Sequence, residues 1–444
     1  MDTLEKYGKK RNFIFLQSPI GPFFSLLAKE LKSLGHNVSK INFWGGDIVF
    51  YPDGIPYKDT IENWGKFFTN HCIKNKITDI VLFGDRRPYH ERAIESIAQI
   101  NSDTNIWVFE EGYFRPHWVT LDKYGANNRS SIDLSNIEYN SDNILTHTQN
   151  PIPINPWLKE AIPSILQYYF FGLISKFTGF NNFKYHRLKH PLFEMSNWII
   201  KWGASALKLK DDELLILQAR PKLTNHFVLA LQLETDSQIR MYSPFKTMKE
   251  IMETSMISFK NHAPPNTNLI VKSHPFDEKW KQREAEFKKI AKELDIENRV
   301  AFIDNCNVST FLDNSLGLIT ANSTLSLFAL ENNIPVIALG QAFWNVEEIT
   351  NKKELSAFWS NPEKPNPILF INMKNKIMET QINGNFYSKE GRDILLKGAV
   401  NHILNEKQDT KYLTDKVLKR IKENNKSRLN HRVSYIPKKL DLKV

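Results

Sequence analysis

An acid-acid-glycine run in the first third of the chain carries side chains suited to acid–base or nucleophilic chemistry. Glu110, Glu111 and Gly112 directly follow Ile106–Phe109, an apolar run typical of a buried strand. Neighbouring side chains on a strand point to opposite faces, so we expect one carboxylate to face a ligand, while Gly112 permits a tight turn or close ligand approach. Such a carboxylate acts as a general base toward a hydroxyl or as a nucleophile at an anomeric carbon. A pair of surface acids is the alternative, against which the nearby Arg115 counts.

A lysine and a histidine follow a second buried run in the other half of the chain. Lys272, His274 and Pro275 come at the end of the run Leu269–Val271. Lysine supplies a point charge for a phosphate, histidine donates to a leaving phosphate, and proline fixes the turn. A His-Pro pair alone is more often an ordinary turn. Taken with the carboxylates, this motif indicates group transfer from an activated, phosphate-bearing donor.

Two further polar clusters follow predicted strands of the second half. The first is Asn322, Ser323 and Thr324, which precede the amphipathic helix Leu325–Leu330. Backbone N–H groups at a helix start favour an anion, and ordinary capping by Ser323 is the alternative. The second cluster suits a sugar carboxylate or a nucleotide, or else forms a polar loop. It consists of Gln232, Asp236, Ser237, Gln238 and Arg240.

Polar residues also end the strands of the first half, which are predicted over Phe13–Leu16 and Ile80–Phe83. The residues that follow these two strands are Gln17, Gly21, Asp85, Arg86, Arg87 and His90. In open α/β sheets, ligands bind in the crevice beyond the carboxyl ends of the strands. We therefore expect these side chains to converge on one crevice with the carboxylates of Glu110 and Glu111.

The elements that position these residues alternate between strand and helix, the pattern of an α/β fold. A length of 444 residues exceeds one comfortable core, so two domains are expected. Further strands are predicted over Asn37–Phe43, Leu214–Leu217, Phe227–Leu233, Val300–Ile303, Leu316–Ile319 and Pro335–Leu339, and helices over Phe23–Leu34, Met248–His262 and Lys279–Leu294. We predict a first domain over 1–150, a helical basic and aromatic linker over 151–210, a second domain over 211–404, and a basic helix or tail over 405–444.

The net charge of +10 is concentrated in two segments. Residues 151–210 hold eight Lys or Arg against two acids, and residues 411–444 hold eleven against three, which leaves −4 for the rest of the chain. The first segment interleaves aromatic and basic residues, namely Tyr168, Tyr169, Phe170, Phe171, Lys176, Lys184, Arg187 and Lys189. This mixture favours an anionic membrane surface over nucleic acid. The alternative is that the aromatics are core and the charges a solvated face.

Other features exclude several classes of protein. The two cysteines, Cys72 and Cys306, form no pairing or metal-binding pattern, which fits a reducing, cytosolic compartment. The N-terminus lacks the order of a signal peptide, and the longest apolar stretch, 161–175, is too short to span a bilayer. The absence of G-x-x-x-x-G-K-[ST] and G-x-G-x-x-G counts against P-loop hydrolases and dinucleotide oxidoreductases. The chain also lacks the D-x-D motif with which many sugar transferases bind a metal ion and the donor diphosphate, and no metal is expected.

In these motifs the chain resembles the KpsS/KpsC-type capsule polysaccharide proteins, which transfer Kdo, an acidic 3-deoxy-octulosonic sugar, from CMP-Kdo. The resemblance runs from Phe15 to Phe343. It is carried by Phe15–Phe24, Asn42–Asp47, Phe83–His90, Phe109–Tyr113, Leu231–Leu233, Asp236–Ile239, Tyr242–Phe245, Lys272–Pro275 and Asn322–Thr324. The opening block and the Glu-Glu-Gly form are closer to the single-module KpsS type, which adds the first β-Kdo to lyso-phosphatidylglycerol.

The resemblance implies a GT-B glycosyltransferase, in which two Rossmann-like domains face each other across a cleft, without a metal ion or other cofactor. Glu111 corresponds to the catalytic carboxylate, His274 and Lys272 lie at the CMP phosphate, and Ser323 and Thr324 lie beside it. Further donor-side candidates are Asn322, Gln232, Asp236, Ser237, Gln238 and Arg240. Acceptor-side candidates are Gln17, Gly21, Asp85, Arg86, Arg87, His90 and Arg115.

Retention of anomeric configuration is also implied, which makes some carboxylate a covalent nucleophile. Glu111, Glu110 and Asp236 all remain open for that role. The partners implied are a CMP-sugar donor, a (lyso)phosphatidylglycerol acceptor, the inner face of the plasma membrane and other capsule-assembly proteins, with a cytoplasmic, peripheral location.

Three other functions remain as alternatives. A CDP-glycerol or teichoic-acid-type phosphotransferase would use CDP-glycerol in place of CMP-Kdo. A non-catalytic scaffold for capsule assembly or export would bind membranes and proteins without releasing CMP. A nucleic-acid-binding protein is the weakest alternative, because the aromatic and basic residues interleave outside the predicted cleft.

Overall fold

The computed structural model describes residues 9–100, 103–134, 137, 151–152, 158–185, 222, 224–275, 277, 279–304 and 311–405. These fall into two compact α/β units. The first unit lies within Met1–Asp133, Thr148–Ser196 and Ile377–Lys426, and the second mainly within Asn197–Lys376. The α/β class predicted from the sequence is confirmed for both units.

The strands and helices of the described chain are as follows. The strands are β1 (Asn12–Phe15), β2 (Asn37–Asn42), β3 (Ile55–Pro56), β4 (Asp79–Phe83), β5 (Asn105–Glu111), β6 (Trp118–Lys123), β7 (His226–Ala230), β8 (Asn268–Lys272), β9 (Val300–Ile303), β10 (Gly317–Thr320), β11 (Val336–Ala338) and β12 (Gln381–Asn383). The helices are α1 (Phe23–Ser33), α2 (Gly45–Ile48), α3 (Ile61–Lys74), α4 (Pro88–Gln99), α5 (Leu158–Ile174), α6 (Ser237–Tyr242), α7 (Met248–His262), α8 (Trp280–Glu293), α9 (Leu325–Glu331), α10 (Leu355–Phe358), α11 (Pro367–Met378) and α12 (Lys389–Asn405).

The first unit contains a seven-stranded sheet in the order β12-β6-β5-β4-β1-β2-β3. Its central strands are parallel, whereas β6 runs antiparallel to β5 and β12 antiparallel to β6. Strands β1, β4 and β5 are buried along almost their whole length, as expected of parallel strands covered by helices on both faces. The parallel arrangement brings the ends of β1, β4 and β5 to the same edge of the sheet.

The second unit contains a five-stranded, fully parallel sheet in the order β11-β10-β7-β8-β9. Helix α7 begins as the sequence predicts, because the side chain of Thr247 accepts a hydrogen bond from the N–H of Glu250 (3.2 Å). The carboxylate of Glu250 in turn accepts from the N–H of Lys246 (2.7 Å). Strand ends of β7, β8 and β10 meet at one edge, where the candidate donor residues were predicted.

One predicted boundary differs from the structure. The sequence assigned residues up to 404 to the second domain, whereas Ile377 onward belongs to the first unit. Strand β12 pairs with β6, with Gln381 opposite Thr120, and helix α12 buries Leu395 and Ile403 in the core beneath the first sheet. Such a return of the chain is invisible to local patterning, because it depends on a partner strand far away in sequence.

The aromatic segment predicted as a linker forms helix α5, which packs in the first unit. A Cβ added to Gly45 would lie 2.0 Å from the carbonyl oxygen of Phe171, and one added to Gly172 would lie 2.2 Å from the ring of Trp44. The indole N–H of Trp44 donates to the hydroxyl of Tyr168 (3.0 Å). Tyr168 and Tyr169 are therefore core residues, which is the alternative weighed against a membrane-facing role.

Several predictions concern parts of the chain outside the described residues. These are the strand Leu214–Leu217, the tail beyond Asn405, Cys306, Arg187, Lys189 and the side chains of Lys176 and Ser237. Among the described helices, none is long and apolar enough to cross a membrane.

Candidate active site

Both carboxylates of the acid-acid-glycine run lie within strand β5. Glu110 stands opposite Thr120 of β6, and Glu111 opposite Val119. The following Gly112 is required by the backbone, since a Cβ there would lie 1.9 Å from the carbonyl oxygen of Trp118. The sequence predicted a tight turn or close ligand approach at this glycine, whereas the structure shows close approach of the neighbouring strand β6.

Glu110 has the properties of a proton-accepting carboxylate. Burial raises its pKa to about 7, helped by the neighbouring carboxylates of Glu111 and Asp85. The N–H of Glu111, which donates to Glu110 Oε1 (3.1 Å), and the charge of Arg87 act in the opposite direction. A general base works best when its pKa lies near the working pH, so this value suits the predicted role.

Glu111 is held by a residue that the sequence did not single out. The hydroxyl of Tyr387 donates a hydrogen bond to Glu111 Oε1. Burial and the Glu111 carboxylate raise the pKa of Tyr387 well above 10, so the phenol remains a donor. The side chain of Asn385 positions this tyrosine by accepting from the N–H of Tyr387 (2.9 Å). No local signal marks Tyr387, because its partner lies in a distant part of the chain.

The C-terminal segment braces the acidic loop at a second point. Gln381 Oε1 accepts from the N–H of Tyr113 (3.0 Å), and Gln381 Nε2 donates to the hydroxyl of Thr120 (3.1 Å). The loop that follows Glu111 is thus held by strand β12 as well as by Tyr387. Arg115 donates from Nε to the carbonyl of Gly112 (3.1 Å), which closes the same loop.

Arg87 is a candidate acceptor-side residue whose positive charge acts on the carboxylate of Glu110. Its guanidinium lies 4.9 Å from the centroid of Phe83 and donates to the carbonyl of Ser18 (3.2 Å). Burial lowers its pKa, and the nearby Glu110 and Asp47 counteract that effect. Arg87 remains cationic at any ordinary pH, so it is suited to holding an anionic group near Glu110.

Asp85 and Arg86 are engaged in an internal ion network. Arg129 lies 3.6 Å from Asp85 and 2.8 Å from Glu91, and Arg86 lies 2.7 Å from the same Glu91 oxygen. Burial raises the pKa of Asp85, and the two arginines oppose that rise. The network ties the loop after β4 to helix α4 and to the turn that contains Arg129. Its geometry favours a structural role for Asp85 and Arg86 in place of the predicted contact with an acceptor.

His90 is also turned inward. Its Nε2 accepts from the N–H of Gln17 (3.1 Å), so its Nδ1 carries the proton and donates to the carbonyl of Gly84 (2.8 Å). Burial lowers the pKa of His90 to about 3. Because both imidazole nitrogens are engaged inside the fold, the geometry favours a structural role for His90 over the predicted acceptor-side role. His90 fixes the ends of β1 and β4 relative to each other.

Gly21 and Gln17 are the remaining candidate residues at this edge of the first sheet. Gly21 adopts a φ of +119°, a conformation that favours glycine. Gln17 is 1% exposed, and its Nε2 finds no hydrogen-bond partner among the described residues. An unpaired buried donor carries a free-energy cost, which a ligand that reached this edge of the sheet would offset.

In the second unit, a pair of side-chain amides joins two strand ends. Gln232 follows β7 and Asn322 follows β10. Gln232 Nε2 donates to Asn322 Oδ1 (3.1 Å), while Gln232 Oε1 accepts from the N–H of Asn322 (3.0 Å). Asn322 Nδ2 donates onward to the carbonyl of Gln238 (2.9 Å). The structure therefore brings these predicted donor-side residues together, although their amides are largely used on one another.

The lysine of the Lys-Ser-His-Pro motif points into the protein. Lys272 is 5% exposed, and its ammonium donates to the carbonyls of Ser273 (2.5 Å) and Asp304 (2.6 Å). This geometry favours fixing the ends of β8 and β9 over the predicted contact with a phosphate. His274 is only partly buried, and its carbonyl accepts from the N–H of Asp277 (2.9 Å). His274 thus remains the residue of this motif suited to reach a ligand.

The remaining donor-side candidates lie at or near the first turns of helices α6 and α9. Asp236 Oδ1 accepts from the N–H of Gln238 (2.9 Å) at the beginning of α6, and Arg240 of that helix is exposed. Ser323 Oγ accepts from the N–H of Leu325 (3.2 Å), with Thr324 beside it. Ser323 thus pairs an N–H at the start of α9, although Thr324 occupies the N-cap position and makes no side-chain capping hydrogen bond.

A buried arginine that the sequence analysis missed connects two of these loops. Arg283 of helix α8 is 2% exposed and ion-pairs with Glu234, which follows β7. It also lies 3.4 Å from Asp277 in the loop after His274 and 3.0 Å from Glu286. Charged residues in an amphipathic helix ordinarily face solvent, so nothing in the sequence pattern distinguished Arg283. Within the described part of the chain, no group of three or more His, Cys, Asp or Glu side chains is arranged to hold a metal ion.

Comparison with known proteins identifies relatives over most of the chain. The family described as "Capsule polysaccharide biosynthesis protein" matches residues 78–387. The capsule polysaccharide modification protein LipB of Neisseria meningitidis serogroup A is 31% identical over 401 residues, which covers 85% of this chain and 92% of LipB. The capsule polysaccharide export protein KpsS of Escherichia coli is 28% identical over 391 residues, covering 86% of this chain and 97% of KpsS.

Among solved structures, the KpsC of Thermosulfurimonas dismutans, described as a beta Kdo 2,7 transferase, aligns over 89% of this chain and 99% of its own. The sequence identity is 12% and the TM-score 0.40. The family match ends at residue 387, the tyrosine that contacts Glu111.

Proposed function

We propose, from the premise that this chain belongs to the capsule polysaccharide biosynthesis protein family, that it is a glycosyltransferase. In this proposal it transfers Kdo from CMP-Kdo to a (lyso)phosphatidylglycerol acceptor, with retention, and so begins a poly-Kdo linker. The reaction takes place at the cytoplasmic face of the inner membrane and uses no metal or other cofactor. The observation that carries the proposal is the pair of carboxylates at the end of β5, of which Glu110 has a pKa of about 7 and Glu111 is held by Tyr387.

The two carboxylates are given different tasks. Retention requires two displacements: an enzyme carboxylate attacks the anomeric carbon as CMP departs, and the acceptor hydroxyl then displaces that carboxylate. Glu110 accepts the proton of the acceptor hydroxyl, since its raised pKa suits proton transfer near neutral pH. Glu111, oriented by the phenol of Tyr387, is the proposed nucleophile. Asp236 is the less favoured nucleophile, because its carboxylate caps helix α6.

In this proposal, residues of the second unit bind the CMP-sugar donor. His274 stabilises the departing CMP phosphate, and the paired amides of Gln232 and Asn322 hold the loops beside it. The first unit is assigned the acceptor, where Arg87 attracts the lipid phosphate and the unpaired amide of Gln17 binds a hydroxyl. Positioning and charge stabilisation supply most of the rate acceleration.

A direct assay tests this proposal. The purified full-length protein is incubated with CMP-Kdo, generated in situ, and lyso-phosphatidylglycerol, and both CMP release and the mass of the lipid product are measured. The expected product is heavier by one Kdo, depends on the acceptor and is insensitive to a chelator. Turnover of CDP-glycerol in place of CMP-Kdo would establish the phosphotransferase alternative. Lack of reaction with either donor, from folded protein, would favour the non-catalytic scaffold.

Variants assign the roles of the individual residues. Glu111→Gln and His274→Ala are expected to leave folding intact and nearly abolish transfer, whereas Glu62→Gln, which changes an exposed acid of the first unit, serves as the control. Glu110→Gln is expected to accumulate a Kdo adduct on the enzyme, which peptide mass spectrometry locates. An adduct on a residue other than Glu111 would reassign the nucleophile.

A further inference from the structure

One face of helix α5 and of the turn that follows it exposes large apolar side chains. They are Leu166 (39% exposed), Phe170 (57%), Phe171 (38%), Ile174 (37%) and Phe177 (91%), which we call the apolar stripe. Residues three and four apart lie on the same side of a helix, so Leu166, Phe170 and Ile174 form one line. Phe177 continues this line in the 3₁₀ turn Ser175–Thr178. A contiguous exposed apolar surface of this kind marks an interaction site.

The helix has no freedom to turn the apolar stripe inward. Its opposite face is buried through Ala161, Ile165 and Tyr168, which pack around Trp44. Gly172 lies so close to Trp44 that a Cβ would come within 2.2 Å of the indole ring. This packing fixes the rotation of α5 about its axis, so the apolar stripe stays exposed in the folded unit.

Positive charge accompanies the apolar stripe. Lys58 is exposed, and its ammonium lies 5.3 Å from the ring centroid of Phe180, just beyond the end of the stripe. Lys184 is 62% exposed, and its ion pair with the equally exposed Glu62 (3.2 Å) is weak in water. In sequence, residues 151–210 carry eight Lys or Arg against two acids. An anionic surface complements the exposed charges of Lys58 and Lys184.

We propose that the apolar stripe is a membrane-docking surface that inserts between the headgroups of an anionic bilayer. Helices that lie in the membrane interface combine an aromatic and aliphatic face with flanking basic residues, and phenylalanine and leucine supply most of their apolar contact. A second copy of this chain, which carries the same positive charge at Lys58, complements the end of the stripe less well than an anionic bilayer does. Docking is independent of the proposed Kdo transfer, because it depends only on the exposed face of α5.

Vesicle binding by the full-length protein tests the proposal. Sedimentation with vesicles of phosphatidylcholine and phosphatidylglycerol is compared for the wild type and the double variant Phe170→Ser/Phe177→Ser. The double variant is expected to lose affinity by about tenfold or more, since two aromatic rings no longer enter the interface. Phe177→Trp is expected to retain or strengthen binding, because tryptophan favours the membrane interface. Vesicles of phosphatidylcholine alone are expected to bind more weakly.

The control variant changes an exposed apolar residue outside the apolar stripe. Ile73 of helix α3 is 62% exposed in the same unit, and Ile73→Ser is expected to bind vesicles like the wild type. Circular dichroism checks that each variant is folded. Unchanged vesicle binding by the double variant, or equal loss in Ile73→Ser, would overturn the proposal. The proposal would also be overturned if the wild type were a dimer that binds no vesicles and the double variant were a monomer. Because no sugar donor is present, failure of docking is distinguishable from failure of the proposed transfer.

Discussion

The phenol of Tyr387 donates a hydrogen bond to the carboxylate of Glu111 across 276 positions of sequence. This contact brings the C-terminal segment to the end of strand β5. The neighbouring Glu110 has its pKa raised to about 7 by burial. The two adjacent acids are thereby differentiated, one by a buried donor and the other by burial itself.

Removal of the Tyr387 hydroxyl is expected to slow transfer without preventing folding. Tyr387→Phe keeps the ring but deletes the hydrogen bond to Glu111, and hydrogen bonds to charged groups contribute about 1.5–3 kcal/mol. We expect kcat to fall by about tenfold to a hundredfold with little change in the KM for either substrate. Steady-state kinetics measure both constants.

The matched control for Tyr387 is Tyr185→Phe, which removes a hydroxyl that lies 3.4 Å from the hydroxyl of Tyr169. This variant is expected to turn over at the wild-type rate. Equal losses in the two variants would indicate that Tyr387 has only a packing role.

The pH dependence of turnover should follow Glu110. A base must be ionised to accept a proton, so kcat is expected to rise with pH through about 7, the pKa of this carboxyl. Glu110→Gln is expected to show a low rate that no longer varies over this range. If Glu110→Gln kept the wild-type pH dependence of kcat, Glu110 would not be the base.

The stability of the protein should reveal the same group without any substrate. The pKa of Glu110 is raised from 4.5 to about 7, so the folded state binds its proton more tightly than the unfolded state does. The free energy of unfolding therefore falls as pH rises from about 4.5 to about 7. In urea unfolding, the free energy of unfolding of Glu110→Gln is expected to exceed that of the wild type by up to about 3 kcal/mol at about pH 8. At about pH 4 the two free energies are expected to be equal. A gain of equal size at both pH values would contradict this assignment.

His90 is expected to contribute to stability and not to acceptor binding. His90→Ala removes two buried hydrogen bonds, to Gln17 and Gly84, and should lower the free energy of unfolding by about 1–3 kcal/mol at neutral pH. Because burial lowers its pKa to about 3, the contribution of His90 is complete above about pH 6.5 and is lost as pH falls toward 3. A raised acceptor KM at unchanged stability would instead restore the role predicted from the sequence.

Lys272 is expected to behave in the same way. Lys272→Met leaves the carbonyls of Ser273 and Asp304 without their donor, and we expect a loss of about 1–3 kcal/mol in the free energy of unfolding. Lys279→Met changes an exposed lysine at the start of the next helix and should leave stability unaltered. A variant at Lys272 with normal stability and a raised KM for CMP-Kdo would support the predicted phosphate contact.

The sequence alone determined the α/β class and most of the elements that carry candidate residues. Helix Met248–His262 and strand Val300–Ile303 have the predicted bounds, because apolar runs and capping residues are local signals. The sequence also placed Glu110, Glu111 and His274 at strand ends, since polar residues directly follow buried runs there. The shared motifs were sufficient to recognise the family.

Only the tertiary structure decided which of these polar residues are engaged internally. His90 and Lys272 are used inside the fold, because buried polar groups must find partners and theirs are backbone groups of other strands. The placement of β12 beside β6 and of Tyr387 beside Glu111 depends on pairing between distant segments. The exposed face of α5 was likewise undetermined by composition, since aromatic residues enter a core or remain outside according to the packing that fixes the rotation of the helix.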